Sequence, residues 1–163
     1  MIIVLNGPLG IGKSTLAGAL TESIDACAMG AAITWSPLTR RPKTELEHLH
    51  STIELLVHHH RCFGYRNFVI EHMWRTEWEP ADLKRRLDDA KFHCFLLTLP
   101  IEENLRRIER RQAARAIDER EFERLTLPQE RRALEGPGLG TPFDVSAQPA
   151  DLVSRMLALI GQS

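Results

Sequence analysis

Near the start of the chain, Gly7-Pro8-Leu9-Gly10-Ile11-Gly12-Lys13-Ser14 satisfies the pattern G-x-x-x-x-G-K-[ST]. Its setting constrains the fold more than any other feature. Before it stands a continuous apolar run, Met1-Ile2-Ile3-Val4-Leu5, of the kind that forms a strand buried on both faces. After it, Lys13 to about Ser23 reads as a helix. Glycines at 7, 10 and 12 let the backbone wrap closely, so that successive N–H groups, that of Ile11 included, face an anion. The helix beginning near Lys13 adds the positive end of its dipole. Lys13 can bridge β- and γ-phosphate oxygens, Ser14 can ligate Mg²⁺, and Thr15 can reach an α-phosphate oxygen. Together these residues describe a nucleoside triphosphate site.

Beyond this loop, strand-like and helix-like stretches alternate to the end of the chain, the pattern of an α/β layer fold with a parallel sheet. Ala26 to Trp35 reads as the second strand, Asn67 to Glu71 as the third and Phe92 to Thr98 as the fourth. Phe143 to Val145 makes a short final strand. Between them, helices are expected over Thr44 to about Cys62, Glu79 to about Ala90, Ile101 to about Phe122, and Pro149 to Ile160. The Thr44 helix places Leu46, Leu49, Ile53, Leu56 and Val57 at 3–4 spacing. A length of 163 residues fits one domain, 1–163, and no repeat or low-complexity tract divides it.

Composition narrows the class further. Charged residues make up 26% and the net charge is −1, which gives no general attraction to nucleic acid or anionic membranes. No apolar run approaches the ~20 residues of a membrane helix, and the apolar start is too short for a signal peptide. Cys27, Cys62 and Cys94 are few and far apart, so they read as reduced, buried thiols of a cytoplasmic protein. Neither N-K-x-D nor D-x-x-G occurs, which argues against a guanine-specific switch.

Two later stretches carry a resemblance. Phe95-Leu96-Leu97-Thr98-Leu99-Pro100 leads into a helix bearing Arg107-Ile108-Glu109-Arg110-Arg111, and Phe143-Asp144-Val145-Ser146 precedes the last helix. With the phosphate loop, they resemble the small P-loop kinases of the nucleotide, shikimate and gluconate kinase type. The resemblance implies a three-layer fold: a five-stranded parallel sheet in the order 2-3-1-4-5, helices on both faces, and a short lid at about 107–140. It implies ATP and Mg²⁺ as the working pair and a small-molecule acceptor. Arg107 would lie over the adenine or near the phosphates, Arg111 would close on the transferring group, and Ser146 would stand beside the adenine. Planar guanidinium groups suit phosphoryl oxygens on chemical grounds as well.

The acceptor side departs from that family. Its members commonly end strand two on an aspartate, whereas here no carboxylate stands between Asp25 and Glu45. Glu71, ending strand three, is the replacement, as metal anchor or as base. Arg40 and Arg41 open the following helix and could hold an anionic acceptor, with His72 and Arg75 beyond Glu71. The histidines at 48, 50 and 58–60 are splayed round their helix and read as a polar face, leaving Mg²⁺ as the only expected metal.

The expected activity is ATP-dependent phosphoryl transfer to a small-molecule hydroxyl or phosphate. A nucleoside or nucleotide kinase is the narrower alternative. A nucleotide-binding regulatory module or weak ATPase is the alternative from another class. No nucleic acid or membrane partner is expected, and the protein is expected to be a monomer or a small homo-oligomer.

Overall fold

The computed structural model describes residues 1–31, 45–89, 91–110 and 120–161. Strand β1 (Ile2–Asn6) is wholly buried, as its unbroken apolar run requires. Alternate residues serve opposite faces. Ile3 and Leu5 pack with α1 (Lys13–Ser23) and α6 (Pro149–Gly161), through Leu16, Leu20, Leu152 and Met156. Ile2 and Val4 pack with α2 (Glu45–Cys62) and α3 (Trp78–Leu87), through Ile53, Val57, Leu83 and Leu87.

The sheet runs β2-β3-β1-β4-β5, all parallel, with β2 at Cys27–Ala31, β3 at Asn67–His72, β4 at Phe92–Thr98 and β5 at Thr141–Asp144. This is the expected order. Its register decides where the chemistry can be: Leu5 lies beside Glu71 and Asn6 beside His72 on one side, and Asn6 lies beside Leu96 on the other. The carboxyl end of β3 therefore arrives next to the loop that leaves β1.

Three expectations need correction. The Arg/Glu-rich stretch was expected to be helical from Ile101 to about Phe122. Its described parts are helical, as α4 (Ile101–Arg110) and α5 (Arg120–Ala133), with 111–119 outside the described residues, and α5 runs well past Phe122. Pro128 lies inside α5, an uncommon place for a residue that lacks an N–H and crowds the preceding turn. Cys62, at the end of α2, is exposed, while Cys27 and Cys94 are half-buried. His50 does not belong to a polar face. It is fully buried: its Nδ1 lies 2.8 Å from Asp82 Oδ2, and the Trp74 indole donates to its Nε2 at 3.0 Å. Among the described residues no helix is long and apolar enough to cross a membrane.

Candidate nucleotide site

The loop between β1 and α1 is tight because two of its residues are left-handed. Gly10 has φ 72° and Gly12, which caps α1, has φ 104°. A side chain at Gly10 would also collide with α4, since its Cβ would stand 2.3 Å from Ile108 Cγ1. Gly10→Ala is therefore expected to cost about 1–3 kcal/mol through overpacking and to lose most of the Tm rise given by Mg-ATP. Paired thermal melts check both effects, and a variant matching wild type in both would show that the loop can yield.

From Gly10 through Thr15, none of the backbone N–H groups donates to a protein acceptor among the described residues; the first amide of α1 bonded within the chain is that of Leu16, to Gly12 O at 3.0 Å. Some of these are the amides any helix leaves open at its start, and here the glycine-rich turn extends the run. The Lys13 side chain turns back over the loop and donates to Gly7 O at 2.8 Å and to Pro8 O at 2.9 Å. Burial pushes its pKa down, and the carboxylates of Glu71, Glu130 and Glu123 pull it back up.

Ser14 Oγ donates to Glu71 Oε2 at 2.9 Å. A hydroxyl and a buried carboxylate in contact at the head of α1 are hard oxygen donors, the set that suits Mg²⁺ when phosphates and water complete the shell. Glu71 is thus brought to the loop, as its strand position implied. Next to it, burial and then the Lys13 charge push His72 down to about 4, so the imidazole is neutral near pH 7.

Helices α4 and α5 hold the loop from the other side. Arg107 donates to Ile11 O at 3.2 Å and to Val145 O at 2.8 Å, tying the loop to the end of β5. Asn104, fully buried, donates to Leu9 O at 3.2 Å. Leu9 N–H in turn donates to Glu130 Oε2 at 2.9 Å. At the end of β1, Asn6 fixes the point of departure: it donates to Trp74 O at 3.1 Å and Leu139 O at 3.0 Å, and accepts from Trp74 N–H at 2.9 Å.

No protein-family model matches the chain, and no curated protein matches its sequence. Solved structures do match. A sugar kinase from Janibacter sp. superposes with a TM-score of 0.71 at 16% identity, covering 98% of this chain and 94% of that one. A gluconokinase from Sinorhizobium meliloti gives 0.69 at 14% identity, covering 98% and 91%. The tunicamycin resistance protein of Deinococcus radiodurans gives 0.66 at 17% identity, covering 98% and 95%. The chain has the small P-loop kinase fold.

Within that fold, the site gathers Gly7, Gly10, Ile11, Gly12, Lys13, Ser14, Thr15, Glu71, His72 and Arg107. Ser146 lies in the exposed turn after β5, where its N–H and hydroxyl both donate to Asp144 Oδ1. Arg75 is exposed and its backbone N–H donates to Glu79. Arg40, Arg41 and Arg111 lie outside the described residues. The sequence pattern missed two buried acids, Glu123 and Glu130. They share a stripe of α5 with Leu127, continued by Leu134 just past its end, a spacing visible in the sequence once that helix is admitted.

Proposed function

We propose that this protein is an ATP-dependent, Mg²⁺-requiring phosphotransferase acting on a small-molecule acceptor. The observation that carries the proposal is the run of open amides from Gly10 to Thr15 beside a half-buried Lys13 folded over the loop. A triphosphate supplies the oxygens such a cradle lacks, and the lysine and helix end offset its charge. Ser14 and Glu71 would hold Mg²⁺, whose contribution when bound is to neutralise charge on the β- and γ-phosphoryl oxygens. Arg107, fixed between the loop and the end of β5, sits at the side where the resemblance puts the adenine. The sugar kinase and gluconokinase that share the fold support transfer to a small molecule over plain nucleotide binding.

The rival reading, a regulatory module or weak ATPase, rests on the absence of a carboxylate between Asp25 and Glu45. The two are separated by ADP release from Mg-ATP with pooled nucleosides, nucleoside monophosphates, sugars and sugar acids, and hydroxylated antibiotics, using Lys13→Ala as the blank. Turnover well above the water background with one pool is the expected result. Binding of Mg-ATP with no dependence on any pool would favour the regulatory module.

A further inference from the structure

The carboxylate absent from the end of strand two has a counterpart elsewhere. Glu130 is 6% exposed and comes from α5, on the lid side of the phosphate loop. Its Oε2 accepts the Leu9 N–H at 2.9 Å, and no hydrogen bond engages its second oxygen among the described residues. Leu9 directly precedes the open amides that begin at Gly10. It also directly follows Gly7 and Pro8, on whose carbonyls the Lys13 ammonium rests. That lysine serves the β- and γ-phosphate oxygens in loops of this kind. The opposite flank is marked by Arg107 reaching Val145. Glu130 therefore stands at the γ-phosphate end of the cradle, where an acceptor must approach.

The other acids around Lys13 divide the work. Glu71 is engaged with Ser14, at the place for the metal. Glu123, 4% exposed and about two turns earlier on the same stripe of α5, lies near enough for Lys13 to feel its charge. A phosphate acceptor is already an anion near neutral pH and has no proton that must be removed. Two buried carboxylates at its entrance would only repel it. An alcohol, by contrast, must lose a proton as its oxygen bonds to phosphorus, and a carboxylate within reach is the usual receiver.

Resting on the phosphotransferase reading above, we propose that Glu130 is the acceptor-side base and that the acceptor is an alcohol hydroxyl, not a phosphate oxygen. The acceptor oxygen forms a bond to the γ-phosphorus of ATP. The bond from that phosphorus to the β,γ-bridging oxygen breaks, and its electron pair leaves with ADP. The hydroxyl proton passes to the free oxygen of Glu130.

The test is Glu130→Gln, which keeps the shape and an oxygen for Leu9 N–H but removes the basic carboxylate. ADP release is measured with a pool of neutral polyols, sugars and amino alcohols and with a pool of nucleoside monophosphates, beside the Tm rise given by Mg-ADP. Wild type is expected to turn over with the hydroxyl pool. The Gln variant is expected to keep its Mg-ADP rise and to lose about 100-fold or more in kcat. Wild-type turnover with monophosphates alone, or a Gln variant within about threefold of wild type, overturns the proposal while leaving the kinase standing. A wild type unresponsive to every pool sinks the kinase reading itself and the base with it. If the Gln variant loses its Mg-ADP rise, Glu130→Asp decides. Recovered turnover supports the base, and equal loss in both variants marks Glu130 as structural only.

Discussion

Replacing Lys13 by alanine is expected to remove nearly all response to Mg-ATP. In wild type, Mg-ATP at ~1,000 times its Kd should stabilise the fold by about 4 kcal/mol, a Tm rise of roughly 8–16 °C for a domain of this size. The lysine ammonium is folded onto the carbonyls of Gly7 and Pro8 in the loop itself, at 2.8 and 2.9 Å. Without it the open amides still offer dipoles, but no full charge meets the β- and γ-phosphoryl oxygens. Acceptor-dependent turnover should fall by at least ~10²–10³-fold, the cost of removing one preorganised stabilising group from a transferring centre. The apo protein should also soften, because Glu71, Glu123 and Glu130 lose the cation they share. Each variant's rise must therefore be measured against its own apo Tm. A Lys13→Ala protein whose Mg-ATP rise equals that of wild type would mean that the loop is not the nucleotide site.

What the sequence disclosed follows from how local each feature is. The loop and its flanking strand and helix are contiguous, so glycine spacing and an apolar run suffice to find them. Glu71 needed one step more: the strand order, which sets its strand next to β1 and brings its carboxylate to Ser14. Glu130 needed a helix that its own Pro128 argues against, and then the packing of that helix onto Leu9, a contact across 121 positions of sequence. Nothing in local pattern encodes that distance.

The burial of His50 is hidden in the sequence for a different reason. The stripe Leu46, His50, Ile53, Val57 does read as one buried face, yet a histidine there is plausible only if partners for both ring nitrogens are known. Asp82 and Trp74 supply them from elements far along the chain. Polar burial is a tertiary property, and residue type alone argues the other way.

The same network carries the second large effect. Trp74 is fully buried in the cluster formed by Ile2, Val4, Ile53, Phe68, Ile70, Leu83 and Leu87. Trp74→Ala is expected to cost about 3–5 kcal/mol, a Tm loss of roughly 6–20 °C at this chain length. Trp74→Phe separates the two parts of that cost. It keeps most of the apolar filling but leaves buried His50 Nε2 without its donor, a penalty of about 1–3 kcal/mol. Pairing it with His50→Leu should recover part of that penalty, because the stranded acceptor is then gone; urea midpoints at unchanged m give the coupling. The backbone of Trp74 also exchanges two hydrogen bonds with Asn6, the residue before Gly7. Loss of the indole should therefore reach the nucleotide site, shrinking the Mg-ATP rise of the Ala variant while the Phe variant keeps it. If Trp74→Ala costs under ~1 kcal/mol, burial of the indole is not what seats α2 and α3 on the sheet. If it costs the full amount but leaves the Mg-ATP rise intact, Asn6 holds the departure of the loop without help from the packing behind it.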